Sequence, residues 1–272
     1  MVHQLLGRVA FRRGVHRRSL EEGMRALDLA GTSDDPRFLG SLSIDLGNAF
    51  SELGPEVREV AVAWYERAVD RLVRTDDLAE LSRAYHNLGV LVGEVNPQDG
   101  LEYLEKADKA GERAHDSRLI GRALLSGVPL HLALGELEEA ERDNEQASHL
   151  AEYNEDDLGR AWIDLNRGLI AERRGLWEEA EHAFERTVEM NHRLRVPADE
   201  AEAAYRLASL RYKTRDLEGA RRAYAVASDL GLAELRPQLA TPFFALARQL
   251  GLPAPTSHRG GVTEPLPPKT PG

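Results

Sequence analysis

The chain has 272 residues, with 35 Lys plus Arg against 46 Asp plus Glu and a formal net charge of −11. That balance excludes the broad positive field on which backbone-driven nucleic-acid binding and polybasic membrane attachment depend. The absence of Cys excludes disulfides, zinc–thiolate sites, iron–sulfur clusters and cysteine nucleophiles.

The hydrophobic fraction is 42% but aromatics are only 6%, so a core must be built mainly from Ala, Leu and Val. The segment Met1–Arg8 has too few apolar residues for a signal peptide, and no stretch approaches the roughly 18 apolar residues of a membrane helix. These features lead us to expect a cytoplasmic, helical protein.

Taken in chain order, two short patterns alternate. The first opens as Leu6-Gly7-xx-Ala10-xxx-Gly14 and returns as Leu46-Gly47-xx-Phe50-xxx-Gly54, Leu88-Gly89-xx-Val92, Gly168-xx-Ala171-xxx-Gly175 and Leu207-Ala208-xx-Arg211. The second sets a small residue, a bulky one four places on, and another small one three further. Its copies are Ser19/Gly23/Ala26, Ala61/Tyr65/Ala68, Gly100/Leu104/Ala107, Ala140/Asn144/Ala147, Ala180/Phe184/Thr187 and Ala220/Tyr224/Ala227. The leading positions are 42, 39, 40, 40 and 40 residues apart, which is a true repeat.

Apolar spacings of three, four and seven are helical in both patterns. Gly14, Gly54, Gly135 and Gly175 are expected to end first helices in the left-handed conformation. Asp34-Asp35-Pro36, Asp76-Asp77, Asp116-Ser117, Asp156-Asp157 and Val196-Pro197 supply the start signals of the helices that follow. Each unit therefore reads as helix–turn–helix. The fourth departs, with Val128 where Gly is expected and Pro129 inside the first helix, so a kink or local adjustment is expected there.

The order Tyr85-x-Asn87-Leu88-Gly89 followed by Gly100-xxx-Leu104-xx-Ala107 resembles the tetratricopeptide repeat, as does Ala161–Val188. The resemblance covers roughly residues 4–251. The unit here is near 40 residues rather than the usual 34, similar to the repeats of kinesin light chains and of sensor regions in bacterial multidomain regulators. It implies an all-α, right-handed α-solenoid of about six repeats over residues 1–251, with a concave face lined by the first helices. Pro237–Leu250, with Leu239, Phe243, Phe244, Leu246 and Leu250 but no second helix, reads as a C-terminal capping helix. Residues 252–272, rich in Pro and Gly, read as a disordered tail. At the other end Met1 falls inside the first helix and Leu5, Leu6 and Val9 form an apolar stripe. We expect a longer natural chain, an edge that packs on a partner such as another copy, or a frayed end.

In the family resembled, inward positions of the first helix hold a protein or peptide. The position before each Leu-Gly pair gives Asp45, Asn87, Ser126, Asn166 and Arg206, at intervals of 42, 39, 40 and 40. Side-chain amides can donate to and accept from an extended backbone together, so the two Asn suit a peptide holder. Asn48, His86, Arg122, Trp162 and Tyr205 lie within a turn of these and complete the candidate set. Glu52 and Glu94 come early, Arg173 and Lys213 late, a charge order that would orient a partner. The carboxylate clamp of chaperone-tail binders is not matched: Ile44, His86, Leu125, Leu165 and Tyr205 stand where its Lys would recur.

Three Glu-x-x-His pairs, Glu112/His115, Glu179/His182 and Glu189/His192, occupy different phases of the repeat and are not expected to converge on a metal. No His-Glu-x-x-His, phosphate-loop or Gly-x-Ser-x-Gly signature occurs. A non-enzymatic scaffold without cofactor or metal is expected. The second reading is a ligand-sensing segment of a larger bacterial signalling protein or transcription regulator, with Trp162, Tyr205 and Tyr212 available to stack on a small molecule.

Overall fold

The computed structural model describes residues 1–31 and 33–253; beyond Pro253, the extension expected from residue 252 lies outside the described residues. Two compact units are present, Met1–Leu134 and one that begins at Gly135.

The first unit holds α1 (Val2–Arg12), α2 (His16–Ala30), α3 (Pro36–Ser51), a 3₁₀ turn (Pro55–Val57), α4 (Arg58–Leu72), α5 (Leu78–Gly93), α6 (Pro97–Arg113) and α7 (Ser117–Leu134). The second holds α8 (Leu137–Asn154), α9 (Asp157–Arg174), α10 (Trp177–Leu194), α11 (Pro197–Lys213), α12 (Leu217–Asp229), the short α13 (Leu232–Leu235), a 3₁₀ turn (Pro237–Leu239) and α14 (Ala240–Gln249). Within each unit every helix packs on the next, which is the stacking of helix pairs in a solenoid.

Local chemistry sets the boundaries. Asp35, Asp77, Asp116 and Asp156 each accept backbone N–H bonds at 3.0–3.3 Å from the first turn that follows, as the start signals predict. Asn96 and Asp216 cap α6 and α12 in the same way, two caps the sequence reading passed over. Gly14, Gly54, Gly135 and Gly175 all have positive φ, between 70° and 124°. The α7 helix continues unbroken through Pro129, whose side chain lies on its exposed side.

Packing explains the small-and-large alternation. A methyl group on Gly47 of α3 would come within 2.5 Å of the Tyr65 ring of α4. A methyl on Gly89 of α5 would meet the Gly100 carbonyl at 2.9 Å and Leu104 at 3.0 Å. A methyl on Gly168 of α9 would come within 2.4 Å of the Phe184 ring of α10. In these three pairs the first helix offers a flat backbone on which the bulky residue of its partner helix lies. Tyr65, Leu104, Phe184 and Tyr224 are all at most 3% exposed. Full burial of one such side chain contributes about 2–3 kcal/mol. At the C-terminal end Phe243 of α14 stacks on Tyr224 at 4.2 Å and meets the edge of Tyr205 at 5.9 Å, forming the expected cap.

Candidate functional site

Side chains on the first helices that are not used in packing fall on one helical stripe, at spacings of four, three and four. In the first unit α3 leaves Ser41, Asp45, Asn48 and Glu52 at least partly open. The α5 helix leaves Arg83, Asn87, Val90 and Glu94, and α7 leaves Arg122, Ser126, Pro129 and Ala133. In the second unit the equivalent stripe is Trp162, Asn166, Leu169 and Arg173 on α9, with Asn166 only 4% exposed. On α11 it is Glu202, Arg206, Ser209 and Lys213.

Four of the sequence-predicted residues join in one hydrogen-bonded chain in the first unit. Asn48 Oδ1 accepts from the Tyr65 hydroxyl and from Asn87 Nδ2, both at 2.8 Å. Asn87 Oδ1 lies 3.1 Å from His86 Nδ1, and His86 Nε2 lies 2.9 Å from Ser126 Oγ. Because Asn87 presents its oxygen to Nδ1, that nitrogen carries the proton, and Nε2 accepts from the Ser126 hydroxyl. The ring is buried, and desolvation, assisted by the Arg122 charge, pushes its pKa down to about 4. His86 is therefore neutral near pH 7. Arg122 is exposed beside it.

Asp45 has a different role. Gln4 Nε2 donates to it at 2.9 Å and Arg8 Nε at 2.8 Å, while Arg8 Nη2 donates to Ser41 Oγ at 2.7 Å. Two α1 side chains thus occupy this carboxylate, and its burial outweighs the Arg8 pairing enough to raise its pKa.

The second unit brings its candidates into packing rather than into one network. Trp162 Nε1 donates to Asp199 Oδ2 at 2.9 Å, and Arg236 also bonds Asp199. Tyr205 is 8% exposed, with the Arg206 guanidinium over its ring at 5.8 Å and burial raising its phenol pKa. Arg206 also donates to Glu202 at 3.3 Å. Of the charges expected to orient a partner, Glu94 pairs with Arg58 and Lys213 with Glu172, both at 2.5 Å. Among the described residues no group of three or more His, Asp or Glu could hold a metal ion. Among them too, no helix is long and apolar enough to cross a membrane.

One feature escaped the sequence reading. A cleft of about 700 Å³ is lined by α8, α9 and α10, with Asn144, Ser148, His149, Arg167, His182 and Arg186 among its walls. The residue before the flat glycine is Leu46 in α3 and Leu88 in α5, both at most 1% exposed, but Arg167 in α9. A guanidinium cannot fill that apolar position. It turns outward to Ser148 at 3.3 Å and Asp164 at 3.4 Å, and Arg186 bonds the same Asp164 at 3.0 Å. The missing Leu was the available signal.

No family model and no curated protein matches the sequence. Among solved structures, a Rap protein complexed with competence and sporulation factor superposes with a TM-score of 0.73 at 12% identity, over 92% of this chain and 69% of that one. NprR in complex with its cognate peptide NprX gives 0.67 at 16% identity, over 91% and 71%. A signal-transduction ATPase with a tetratricopeptide repeat sensor from Pyrococcus horikoshii gives 0.63 at 15% identity, over 92% of this chain and 39% of that one. The chain has the tetratricopeptide-repeat fold. At these identities the likeness concerns architecture, and function has to be argued from the site.

Proposed function

We propose that the chain is a non-enzymatic binding module whose first-helix face, centred on α3 and α5, holds a peptide or an extended protein segment. The observation that carries this reading is the chain Tyr65–Asn48–Asn87–His86–Ser126. Asn48 Oδ1 is saturated by two donors, so the amide orientation is set and its Nδ2 hydrogens are directed elsewhere. Asn87 retains one further N–H in the same way. Both residues are half-buried, which leaves these donors at a surface. Donors held in place before binding lose little rotamer freedom when they meet a peptide carbonyl. Val90 and Pro129 supply apolar ground on the same stripes, and Arg83 and Arg122 supply positive charge. The similar folds of Rap and NprR, solved with a factor and with a cognate peptide respectively, support the same reading.

A second reading is favoured by the sensor of the signal-transduction ATPase, of which this chain spans 39%. In that reading the same face reports a ligand to a larger regulator. Asn166, Trp162 and Tyr205 contribute in either case by shaping the second unit rather than by direct contact, since each is engaged or buried.

The test is selection of binders from a displayed random-peptide library, followed by calorimetry of one selected peptide. Asn48→Ala and Asn87→Ala should each weaken it at least 10-fold, and Arg174→Ala in the α8–α10 cleft should leave it unchanged. Equal affinity for all proteins would remove the first-helix face from consideration.

A further inference from the structure

Two departures from the repeat fall on one cleft. Asn144 of α8 stands where other repeats place Tyr65, Leu104, Phe184 and Tyr224, and Arg167 of α9 stands where Leu46 and Leu88 are buried. Both line the cleft of about 700 Å³ formed by α8, α9 and α10. A short Asn in place of a bulky side chain and a guanidinium turned outward both withdraw apolar volume from this spot. What apolar lining remains is Ile170, Ala171 and Ala183, each at most 8% exposed, together with Leu176. The cleft opens about a third of a turn around α9 from the stripe of Trp162, Asn166, Leu169 and Arg173, so it is separate from the first-helix face.

The charges in the cleft are ordered along its length. Glu141 and Ser148 on α8, Arg174 and Arg167 on α9, and Glu179 and Arg186 on α10 are pairs seven residues apart, each spanning two helical turns or about 10 Å. Arg174 bonds Glu141 at 2.6 Å at one end, and Arg167 bonds Ser148 at 3.3 Å at the other. Arg186 shares Asp164 with Arg167, which assigns it to the second end and leaves Glu179 at the first. The first end therefore carries two carboxylates and one guanidinium, and the second carries two guanidiniums held by the buried Asp164. A guanidinium has five N–H donors. Arg167 engages two of its nitrogens with Asp164 and Ser148, and Arg186 engages two with Asp164, so each keeps donors to spare while its position is set.

We propose that this cleft binds a small zwitterion whose amine and carboxylate lie about 10 Å apart, the length of an extended tripeptide with free ends. Its carboxylate meets the spare N–H groups of Arg167 and Arg186, its amine meets Glu179, and its middle lies on the apolar lining. Because Asp164 already orients both guanidiniums, little side-chain freedom is lost on binding. A plain anion is disfavoured, since Glu145 and Glu152 on the α8 wall make the cleft acidic as a whole. A single free amino acid is too short to reach both ends. This site is additional to the first-helix face and does not depend on it.

Titration of the full chain with trialanine, Ala-Leu-Ala and Ala-Phe-Ala, followed by heteronuclear NMR, tests this. At least one of these peptides should bind saturably at millimolar concentration and shift the ring signals of His149 and His182, which line the cleft. Amidation of its C-terminus and acetylation of its N-terminus should each weaken it by about 10-fold or more. Arg167→Leu, which returns the residue other repeats place there, should weaken it as much with an unchanged far-UV circular dichroism spectrum, and so should Arg186→Gln. Asn87→Ala should bind the tripeptide as the wild type does. No saturable shift with any of the three peptides overturns the proposal. So does binding that survives either terminal cap or both Arg variants. Neither result bears on the library-selected peptide at Asn48 and Asn87, so the two readings fail separately.

Discussion

Lowering the pH should unlock the Asn48–Asn87–Ser126 chain through one residue. His86 titrates near 6.5 when unfolded and is pushed down to about 4 when folded. Between those values the unfolded chain binds the extra proton, so stability rises with pH across this window. The contribution is complete above pH 6.5 and is lost as pH falls toward 4. Each pH unit within the window is worth about 1.4 kcal/mol, so the loss is about 2 kcal/mol at pH 5 and about 3 kcal/mol by pH 4. With the ring buried, little solvent screening reduces this. Protonation also puts a hydrogen on Nε2, which can then no longer accept from Ser126. Urea unfolding followed by circular dichroism at pH 7.5, 6 and 5 would measure the effect in the wild type and in His86→Gln. Titrations common to both proteins, including that of Asp45, cancel in the difference. The wild type should lose about 2 kcal/mol relative to the variant between pH 7.5 and 5. A gap that stays constant within about 0.5 kcal/mol would refute the reasoning. An imidazole that titrates near 6.5 in the native protein by NMR would do so equally.

Two further substitutions probe the packing of the second unit. Asn191 is 0% exposed and neither its Oδ1 nor its Nδ2 has a hydrogen-bond partner, so Asn191→Leu should raise stability by about 1–3 kcal/mol, read as a higher urea midpoint. A lower midpoint would mean that the amide is satisfied. Gly168→Ala gains about 1 kcal/mol of helix propensity but drives a methyl into the buried Phe184 ring, at a cost of about 1–3 kcal/mol. We expect net destabilisation that shrinks in a Phe184→Leu background; a more stable Gly168→Ala protein would show that the ring yields freely.

The helix pairs were legible because their signals are local. Spacings of three and four mark a helix, an Asp at a start accepts from the turn beside it, and a small residue at a fixed offset admits a bulky one from the adjoining helix. All of these act within about 40 residues, and the repeat states them several times over. The stripe of open positions followed from the same register, and it placed Asn48, Asn87 and Ser126 on one face. Tertiary structure decided who meets whom across repeats. Asp45 reads in sequence like Asn87, yet Gln4 and Arg8 of the preceding repeat have taken it. Asn166 occupies the same register position as Asn87 but is buried, and Trp162 is committed to Asp199. Arg167 opens a cleft where Leu would have closed one. Periodicity gives the direction in which a side chain leaves its helix. Its solvent exposure and its hydrogen-bond partner depend on the particular side chains brought against it from neighbouring helices.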